Sequence, residues 1–362
     1  MSSQELPIVS IIMPAYNSGR WISRSLRSLQ RQSFKKFEVI VVDDASEDKT
    51  VEIVGKSVQG DNRFYLVRMT QNSGPWKARE VGFQQSRGRW VSFLDADDEY
   101  CVEFLETMVD AAEFWQADIA LCSAESYRRG PRRNVPRARF WVGAVVNGDV
   151  FSRFCRLHFG TGMMWNKIYR RDVLSKGLET VPKERVETGE DIIVNVGAFK
   201  AAERVCTLPQ VLYLQHPQAG SLSARHGPLA VLGLLQGYAN CLELFAEERD
   251  SVLNEIDMLY LRLGHLRCYR VKHKEWDRDS LAELYRLRQR IVRARSGKGC
   301  PGWVAGEREE LAIRAEDRRN WFRKVLRASE IRHIFLSTIW FCGCSLSEWW
   351  ARQWRSSFRR TE

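Results

Sequence analysis

The sequence predicts an α/β fold, in which a mostly parallel sheet is flanked by helices, followed by a C-terminal α-helical region. Up to about residue 125, short apolar runs of strand length alternate with segments whose apolar residues recur at helical spacing. That alternation is the pattern of right-handed βαβ units. After about residue 228, turn signals thin out and helical patterns dominate. We therefore expect an α/β domain over 1–228 and a helical region over 229–362.

The individual elements follow from this alternation. Short, mainly apolar runs predict buried strands at 9–13 (ended by Pro14), 37–42, 64–67, 90–94 and 118–122. Asn17, Ser18 and Gly19 supply turn and cap chemistry after the first strand. The helices between the strands are predicted from apolar stripes at Ile22, Leu26 and Leu29, at Val51, Ile53 and Val54, near 76–86, and at Leu105, Met108, Val109 and Ala112.

Polar clusters follow three of the predicted strands. They are Pro14-Ala15-Tyr16-Asn17, Asp43-Asp44 and Asp95-Ala96-Asp97-Asp98. The carboxyl ends of parallel strands meet at one edge of a sheet, where ligands of such folds usually bind. We therefore expect the functional site at this shared edge.

The acidic cluster at 95–98 is the most informative of the three. Carboxylates this close together repel each other unless a cation offsets their charge, and Mg²⁺ or Mn²⁺ prefers such oxygen ligands, often shared with substrate phosphates. A simpler alternative is that Asp98 merely caps the following helix. A DxD triplet alone arises often by chance, but this one directly follows a buried strand and shares its sheet edge with Asp43-Asp44. That context favours a metal-assisted site.

Further residues near this edge have two interpretations each. One carboxylate of Asp43-Asp44 is expected to cap the next helix, which leaves the other free to bind a base or ribose. Tyr16 either stacks on a base or packs in its loop. Arg79 either contacts a pyrophosphate or is a solvated helix residue.

The composition limits which partners the protein is expected to bind and in which cellular compartment it is expected to lie. The net charge of +11 favours polyanions such as nucleic acid, anionic membranes or phosphorylated substrates, but no nucleic-acid-binding motif is present. We expect no signal peptide, because the first residues lack a basic region and their apolar run is short, and no transmembrane helix, because no apolar run reaches about 18 residues. The nine cysteines are scattered, without a CxxC pair. A cytoplasmic location, including the inner face of the cell membrane, fits this pattern best.

Seven sequence blocks between about 8 and 225, in their order and spacing, resemble the family 2 glycosyltransferases of GT-A fold, of the bacterial polysaccharide type. The blocks are VSIIMPAYN, FEVIVVDDASEDKT, NSGPWKAREVG, GRWVSFLDADDEY, WNKIYRRDVL, GEDIIVN and LYLQHPQAGSLS. The resemblance implies a Rossmann-like catalytic domain over 1–228, with a nucleotide-sugar donor half at about 1–125 and an acceptor half at about 126–228. It matches nothing beyond 228.

The resemblance also implies a reaction and a set of site residues. The reaction is an inverting transfer from a nucleotide-diphospho-sugar, UDP-linked in our interpretation, to a hydroxyl of a glycan or lipid-linked acceptor, with Mn²⁺ or Mg²⁺ as cofactor. The implied roles are base contacts for Pro14, Tyr16 and Asp44, diphosphate and ribose contacts for Arg79 and Asp95, cation binding for Asp97, and general base for Asp191. Glu80 departs from the family, which usually has Asn at that position; a carboxylate beside a diphosphate is unfavourable unless it turns away or meets a basic partner.

The roles assigned to residues on the acceptor side depend more on the resemblance than on the residues themselves. Alone, Glu190 and Asp191 indicate a helix start, where acids suit the dipole. Glu190 is the neighbour that could serve as base instead, or orient the acceptor. Trp165 either stacks on a sugar or is a core aromatic. His216 or His226 is a candidate contact for the diphosphate or the cation.

Two other functions are compatible with parts of the pattern. A sugar nucleotidyltransferase shares this type of sheet, but it would carry a Gly-rich phosphate loop after the first strand, and MPAYNSGRW has a single glycine. A non-catalytic carbohydrate-binding or scaffold protein would be indicated by loss of Asp97 or Asp191, and both are present.

The segment 331–358 mixes tryptophans and other apolar residues with arginines. A helix of this composition suits peripheral contact with a membrane interface. The alternative is an amphipathic helix packed on the catalytic domain or on a second subunit. The sequence leaves the oligomeric state open.

Overall fold

The computed structural model describes residues 6–127, 134–181, 189–218, 228–268 and 277–295. All of these residues belong to one compact unit, in which helices flank a ten-stranded sheet. The predicted α/β class is confirmed. The tail at 331–358, His226 and the segment 221–223 lie outside the described residues.

The strands and helices alternate as predicted, and further elements follow the predicted ones along the chain. The strands are β1 Val9–Ala15, β2 Phe37–Asp43, β3 Phe64–Arg68, β4 Trp90–Phe93, β5 Glu99–Tyr100, β6 Ile119–Ser126, β7 Val135–Ala138, β8 Ala144–Asn147, β9 Lys167–Arg170 and β10 Arg204–Gln215. The helices are α1 Ile22–Gln30, α2 Thr50–Ser57, α3 Pro75–Gln85, α4 Phe104–Phe114, α5 Val150–Cys155, α6 Arg171–Glu179, α7 Glu190–Ala201, α8 Pro228–Leu244, α9 Asp250–Cys268 and α10 Arg278–Arg295.

The sheet has the order β3-β2-β1-β4-β9-β6-β10-β5, with β7 paired to β6 and β8 to β10. The first four strands of this order are parallel, as predicted, and so are β6 and β10. β9 is inserted antiparallel between β4 and β6. The sheet is therefore parallel from β3 to β4 and mixed beyond β4.

The expectation that Pro14 ends the first strand is wrong, because β1 continues to Ala15 and pairs with β2 through Pro14↔Val42. Ile12 accepts a hydrogen bond from Leu94 N–H at 3.1 Å, so Ile12, and Pro14 two residues later, turn their backbone groups toward β4. β4 ends at Phe93. The missing N–H of Pro14 therefore faces a position where no strand partner is needed.

Helix α3 lies close against β1 because Gly82 leaves room for the strand. A Cβ at Gly82 would come within 2.4 Å of Ile12 Cγ2. Ala78, on the same helix, is fully buried against Ile40 and Val42 of β2. This close packing fixes the position of Arg79, which α3 carries toward the carboxyl edge of the sheet.

The helices after residue 228 pack on one another and on the α/β part. α8 contacts α7 and α10, and α9 contacts α5 and α8. Tyr238 donates a hydrogen bond to Asp257, which also pairs with the buried Arg295 at 3.0 Å. None of the described helices combines the length and the apolar character needed to cross a membrane.

Candidate functional site

The three predicted polar clusters lie at one edge of the sheet. The first two are hydrogen-bonded to each other: Asp44 N–H donates to Ala15 O at 2.8 Å, and Asn17 N–H donates to Ser46 Oγ at 2.9 Å. The third directly follows β4 and is held by α1, because Ser25 Oγ donates to Ala96 O at 2.8 Å. Tyr16 is 48% exposed at this edge, so its ring is accessible to a ligand.

Arg79 connects the predicted donor and acceptor residues. Its guanidinium is buried and lies 3.2 Å from Asp95 Oδ1, 3.1 Å from Glu190 Oε1 and 3.3 Å from Asp191 Oδ1. Burial alone would lower the pKa of Arg79, but Asp191, Asp95 and Glu190 raise it above its usual range. The interpretation of Arg79 as a solvated helix residue is therefore wrong, because three carboxylates surround a cation that water hardly reaches.

Asp191 lies in the first turn of α7 beside Arg79, and its side chain keeps 26% of its surface exposed. Burial raises the pKa of Asp191 to about 7; Arg79 opposes this rise, and Glu190 and Asp95 add to it. A carboxylate that titrates near neutral pH and still reaches solvent suits a general base.

Within the acidic cluster, Asp97 is the carboxylate left for a ligand. Burial and the neighbouring Asp95 raise the pKa of Asp97 to about 6. Arg24 donates to the Asp97 backbone carbonyl rather than to its carboxylate. Among the described residues, no three His, Cys, Asp or Glu side chains are arranged as a metal site. Asp97 therefore fits as one oxygen ligand of a divalent cation, provided that the substrate phosphates supply others.

The alternative that Asp98 caps the next helix is wrong. α4 begins only at Phe104, and Asp98 instead accepts hydrogen bonds from Tyr213 OH at 2.6 Å and His216 N–H at 2.7 Å. Burial, with Asp95 and Asp97 nearby, raises the pKa of Asp98 to about 8. Asp98 thus ties the acidic cluster to β10.

The expectation that one carboxylate of Asp43-Asp44 stays free is also wrong. Asp43 accepts from Ser46 N–H at 3.3 Å, while the Asp44 carboxylate accepts from Ser73 N–H at 2.7 Å and Gly74 N–H at 2.8 Å. Asp44 thereby fixes the turn into α3. A contact from Asp44 to a base would need a second lone pair on one of these oxygens.

The remaining predicted residues have mixed environments. Trp165 is 6% exposed and stacks on Tyr213, with ring centroids 4.3 Å apart, which favours the core interpretation. Glu190 is buried against Arg79. Glu80 meets the basic partner that its position requires, since its carboxylate lies 2.5 Å from Lys77 Nζ.

Two residues beside the site were not assigned clear roles from the sequence. His216 Nε2 lies 2.8 Å from Glu99 Oε1, and its ring packs 5.0 Å from that of Tyr127. Lys167 is 1% exposed within β9. The sequence analysis predicted no strand here, although a lysine beside the apolar residues of WNKIYR was an available signal, because a buried charge requires a partner.

Comparisons with known proteins cover the part of the chain that holds the three polar clusters. The model of glycosyl transferase family 2 matches residues 10–178. The glycosyltransferase EpsJ of Bacillus subtilis, named as uncharacterized, is 28% identical over 220 residues, which are 60% of this chain and 63% of EpsJ. The chain thus spans less than two thirds of this relative, and Asp191 lies beyond the family match.

Two further relatives are similar over a comparable part of the chain. The poly(ribitol-phosphate) beta-N-acetylglucosaminyltransferase TarS of Staphylococcus aureus is 34% identical over 209 residues, which are 56% of this chain and 34% of TarS. The succinoglycan biosynthesis protein ExoO of Rhizobium meliloti is 30% identical over 227 residues, which are 60% of this chain and 63% of ExoO.

The fold is similar to that of a solved part of TarS. The structure of TarS 1–349 in complex with UDP-GlcNAc superimposes with a TM-score of 0.63 and 23% identity, over 82% of each chain. This likeness shows the fold that the two chains share.

Proposed function

We propose, because residues 10–178 match the model of glycosyl transferase family 2, that the protein transfers a sugar from a nucleotide-diphospho-sugar to a hydroxyl of a glycan or lipid-linked glycan acceptor. The observation that carries this proposal is the contact of one buried arginine with Asp95 on the predicted donor side and Asp191 on the predicted acceptor side. The TarS complex with UDP-GlcNAc supports a UDP-linked donor. The ExoO name supports a role in cell-surface polysaccharide synthesis.

The donor would bind across the carboxyl edge of β1, β2 and β4. Tyr16, exposed at this edge, and Pro14 would flank the base, and Asp44 would accept from it. Arg79 would turn from its carboxylates toward the diphosphate of the donor. Asp95 would then be available to the ribose side of the donor.

Mn²⁺ or Mg²⁺ would be held by Asp97 together with oxygen atoms of the donor. When bound, such a cation stabilises the negative charge that develops on the departing nucleoside diphosphate. The proposal gives Asp97 this role because its carboxylate repels Asp95 and, in the described part of the chain, forms no ion pair of its own.

Asp191 would act as general base in an inverting reaction. The acceptor O–H bond breaks and its proton passes to the Asp191 carboxylate. The acceptor oxygen forms a bond to the anomeric carbon, while the bond from that carbon to the diphosphate oxygen breaks and its electron pair leaves with the diphosphate. Glu190, held by Arg79, would orient the acceptor, and Trp165 would support that side through Tyr213.

Donor hydrolysis, measured with a panel of nucleotide sugars in the presence and absence of Mn²⁺ or Mg²⁺, tests the proposal. We expect metal-dependent release of a nucleoside diphosphate from at least one UDP-sugar. Absence of turnover and of nucleotide binding with every donor would refute the enzyme function and favour a carbohydrate-binding role. Asp191→Asn is expected to retain donor binding and lose transfer; retained transfer would refute its assignment as base.

A further inference from the structure

Lys167 is a buried cation at the centre of the sheet. Its backbone carbonyl accepts from Ser92 Oγ at 2.6 Å, and its residue pairs with Leu121 of β6. Its ammonium donates to Asn166 Oδ1 at 2.9 Å and to the Met163 carbonyl. Both acceptors are neutral, and within the described residues Lys167 forms no ion pair. A buried ammonium in such surroundings is costly unless a negative charge lies close by.

Among the acidic groups that influence Lys167, Asp191 favours its charged form most. Burial lowers the pKa of Lys167 to about 7, and Asp191 is the first of the groups that oppose this fall, ahead of Cys122. The relation is reciprocal, since Lys167 opposes the rise in the pKa of Asp191. Each of the two buried groups therefore favours the charged form of the other.

A short loop connects Lys167 to the helical turn that carries Asp191 through hydrogen bonds and packing. Lys167 holds the Met163 carbonyl, while Asn195 Nδ2 donates to Gly162 O at 2.8 Å and to Asp191 O at 2.7 Å. Gly162 has φ +87° and lies so close to the first turn of α7 that a Cβ there would be 3.0 Å from Ile192 Cγ1. The segment that Lys167 anchors is thus packed against the turn that carries Asp191.

The charged and titratable groups that influence Asp191 come from several elements of the fold. Tyr169 stays neutral, because burial raises its pKa well above the usual range and its hydroxyl donates to Asn195 Oδ1. Arg79 is shared among three carboxylates and, under the proposed function, turns to the donor. Among the described residues, these groups are Arg79 from α3, Asp95 after β4, Lys167 and Tyr169 from β9, and Glu190 from α7.

We propose that Lys167 is a positioning residue for the transfer reaction: its buried ammonium keeps Asp191 ionised, and its bond to the 162–163 loop keeps that carboxylate in place. This inference deepens the proposed function and rests on it. Lys167 does not touch the acceptor in this role; it acts through Asp191, and it remains in place when Arg79 engages the diphosphate.

The first test is the pH profile of kcat at saturating donor and acceptor for Lys167→Met. Asp191 is active as a base when ionised, so activity falls as pH drops through its pKa. Removal of the cation raises that pKa, so we expect the acid limb to move up by about one unit. At pH 7 kcat then falls about fivefold, and it recovers most of the loss at pH 9, with the donor KM unchanged.

Two controls separate this effect from general damage. Lys176→Met removes a surface lysine paired with Glu179 and is expected to leave the profile unchanged. Lys167→Arg keeps the charge and is expected to restore the acid limb toward that of the unmodified protein. A fall in kcat by the same factor at every pH, or a change confined to donor KM, would overturn the proposal.

A second measurement does not depend on activity or on the folding of Lys167→Met. Lysine labelled with ¹³C at Cε reports the Lys167 titration by NMR, with the signal assigned through Lys167→Arg. In Asp191→Asn the pKa of Lys167 is expected to fall below its value of about 7, because the opposing negative charge is gone. An unchanged Lys167 titration refutes the inference, whereas a coupled titration without turnover of any donor refutes only the proposed function.

Discussion

Arg79 contacts carboxylates that are more than 90 positions apart in the chain, Asp95 and Asp191. Its guanidinium can do so because its N–H groups form a rigid planar fork, which a lysine ammonium does not provide. Without a ligand, the same contacts neutralise three carboxylates that would otherwise repel one another. Arg79 therefore serves stability in the free protein and, in our proposal, catalysis in the donor complex.

Replacement of Arg79 by Met is expected to destabilise the free protein by about 3 kcal/mol, the low end for breaking a buried ion pair, because Asp95 and Asp191 retain some solvent. Urea unfolding at pH 8 measures the loss. Arg89→Met is the matched control, since Arg89 is 62% exposed and pairs with a partly exposed Glu113; its effect should stay below about 1 kcal/mol. Equal losses in the two variants would show that the carboxylates around Arg79 do not need it.

Asp97→Asn is expected to raise the stability of the metal-free protein while removing stabilisation by Mn²⁺. Burial and Asp95 raise the pKa of Asp97 to about 6, above its ordinary value of 3.8. A raised pKa favours the folded protein at low pH and disfavours it as pH rises through that pKa. At pH 8 the gain from removing the charge should therefore be on the order of 1 kcal/mol, allowing for partial exposure.

Thermal unfolding at pH 8, with and without Mn²⁺ and UDP, measures both effects of Asp97→Asn. The matched control is Asp98→Asn, which disturbs the hydrogen bonds from Tyr213 and His216. It should keep the response to Mn²⁺, because Asp98 is not the proposed cation ligand. A normal Mn²⁺ response in Asp97→Asn would exclude Asp97 as the cation ligand.

At the scale of elements, the packing of α3 on β1 determines where Arg79 lies. Gly82→Ala would place a Cβ within 2.4 Å of Ile12 Cγ2, so α3 must move away from the strand. We expect a loss of about 1–3 kcal/mol from this overpacking and weaker donor binding, because Arg79 lies on the preceding turn of the same helix.

Gly55→Ala provides the matched control for Gly82→Ala. Gly55 is also in a helix, α2, but nothing lies within 4 Å of a Cβ at that position. Its replacement should stabilise the protein by up to about 1 kcal/mol. Chemical denaturation and nucleotide titration of both variants measure the difference; equal stability would show that α3 can shift without cost.

The sequence predicted elements well where a local pattern defines them. The apolar runs located β1 to β4, and the polar residues after them marked the site edge. Asp98 was misinterpreted because its partners, Tyr213 and His216, are more than a hundred positions away. Lys167 was quoted within a family block but given no role, since its relation to Asp191 depends on how β9 is inserted between β4 and β6.

At the scale of the whole molecule, the sequence pattern changes near residue 228, and the architecture changes there from alternating strands and helices to helices. The proposed division of the chain at this point affects how stable the first part is by itself. α7 is buried along almost its whole length, as a helix that is apolar on all sides must be. Helix α8 packs on part of α7, and Lys200 of α7 also pairs with Glu248 at 2.7 Å. The turn that carries Asp191 therefore belongs to a helix that residues after 228 help to bury.

A chain ending at residue 227 is accordingly expected to be much less stable than one ending at 295. Exposing about three buried aliphatic side chains costs roughly 6 kcal/mol, which is comparable to the total stability of many domains. Thermal unfolding and binding of a hydrophobic dye compare the two truncated chains with the full chain. We expect dye binding and loss of a cooperative transition in the shorter chain, whereas 1–295 retains the transition. If 1–227 unfolded cooperatively at the same temperature as 1–295, the helices after 228 would be an independent domain, and Asp191 would owe its position to the α/β part alone.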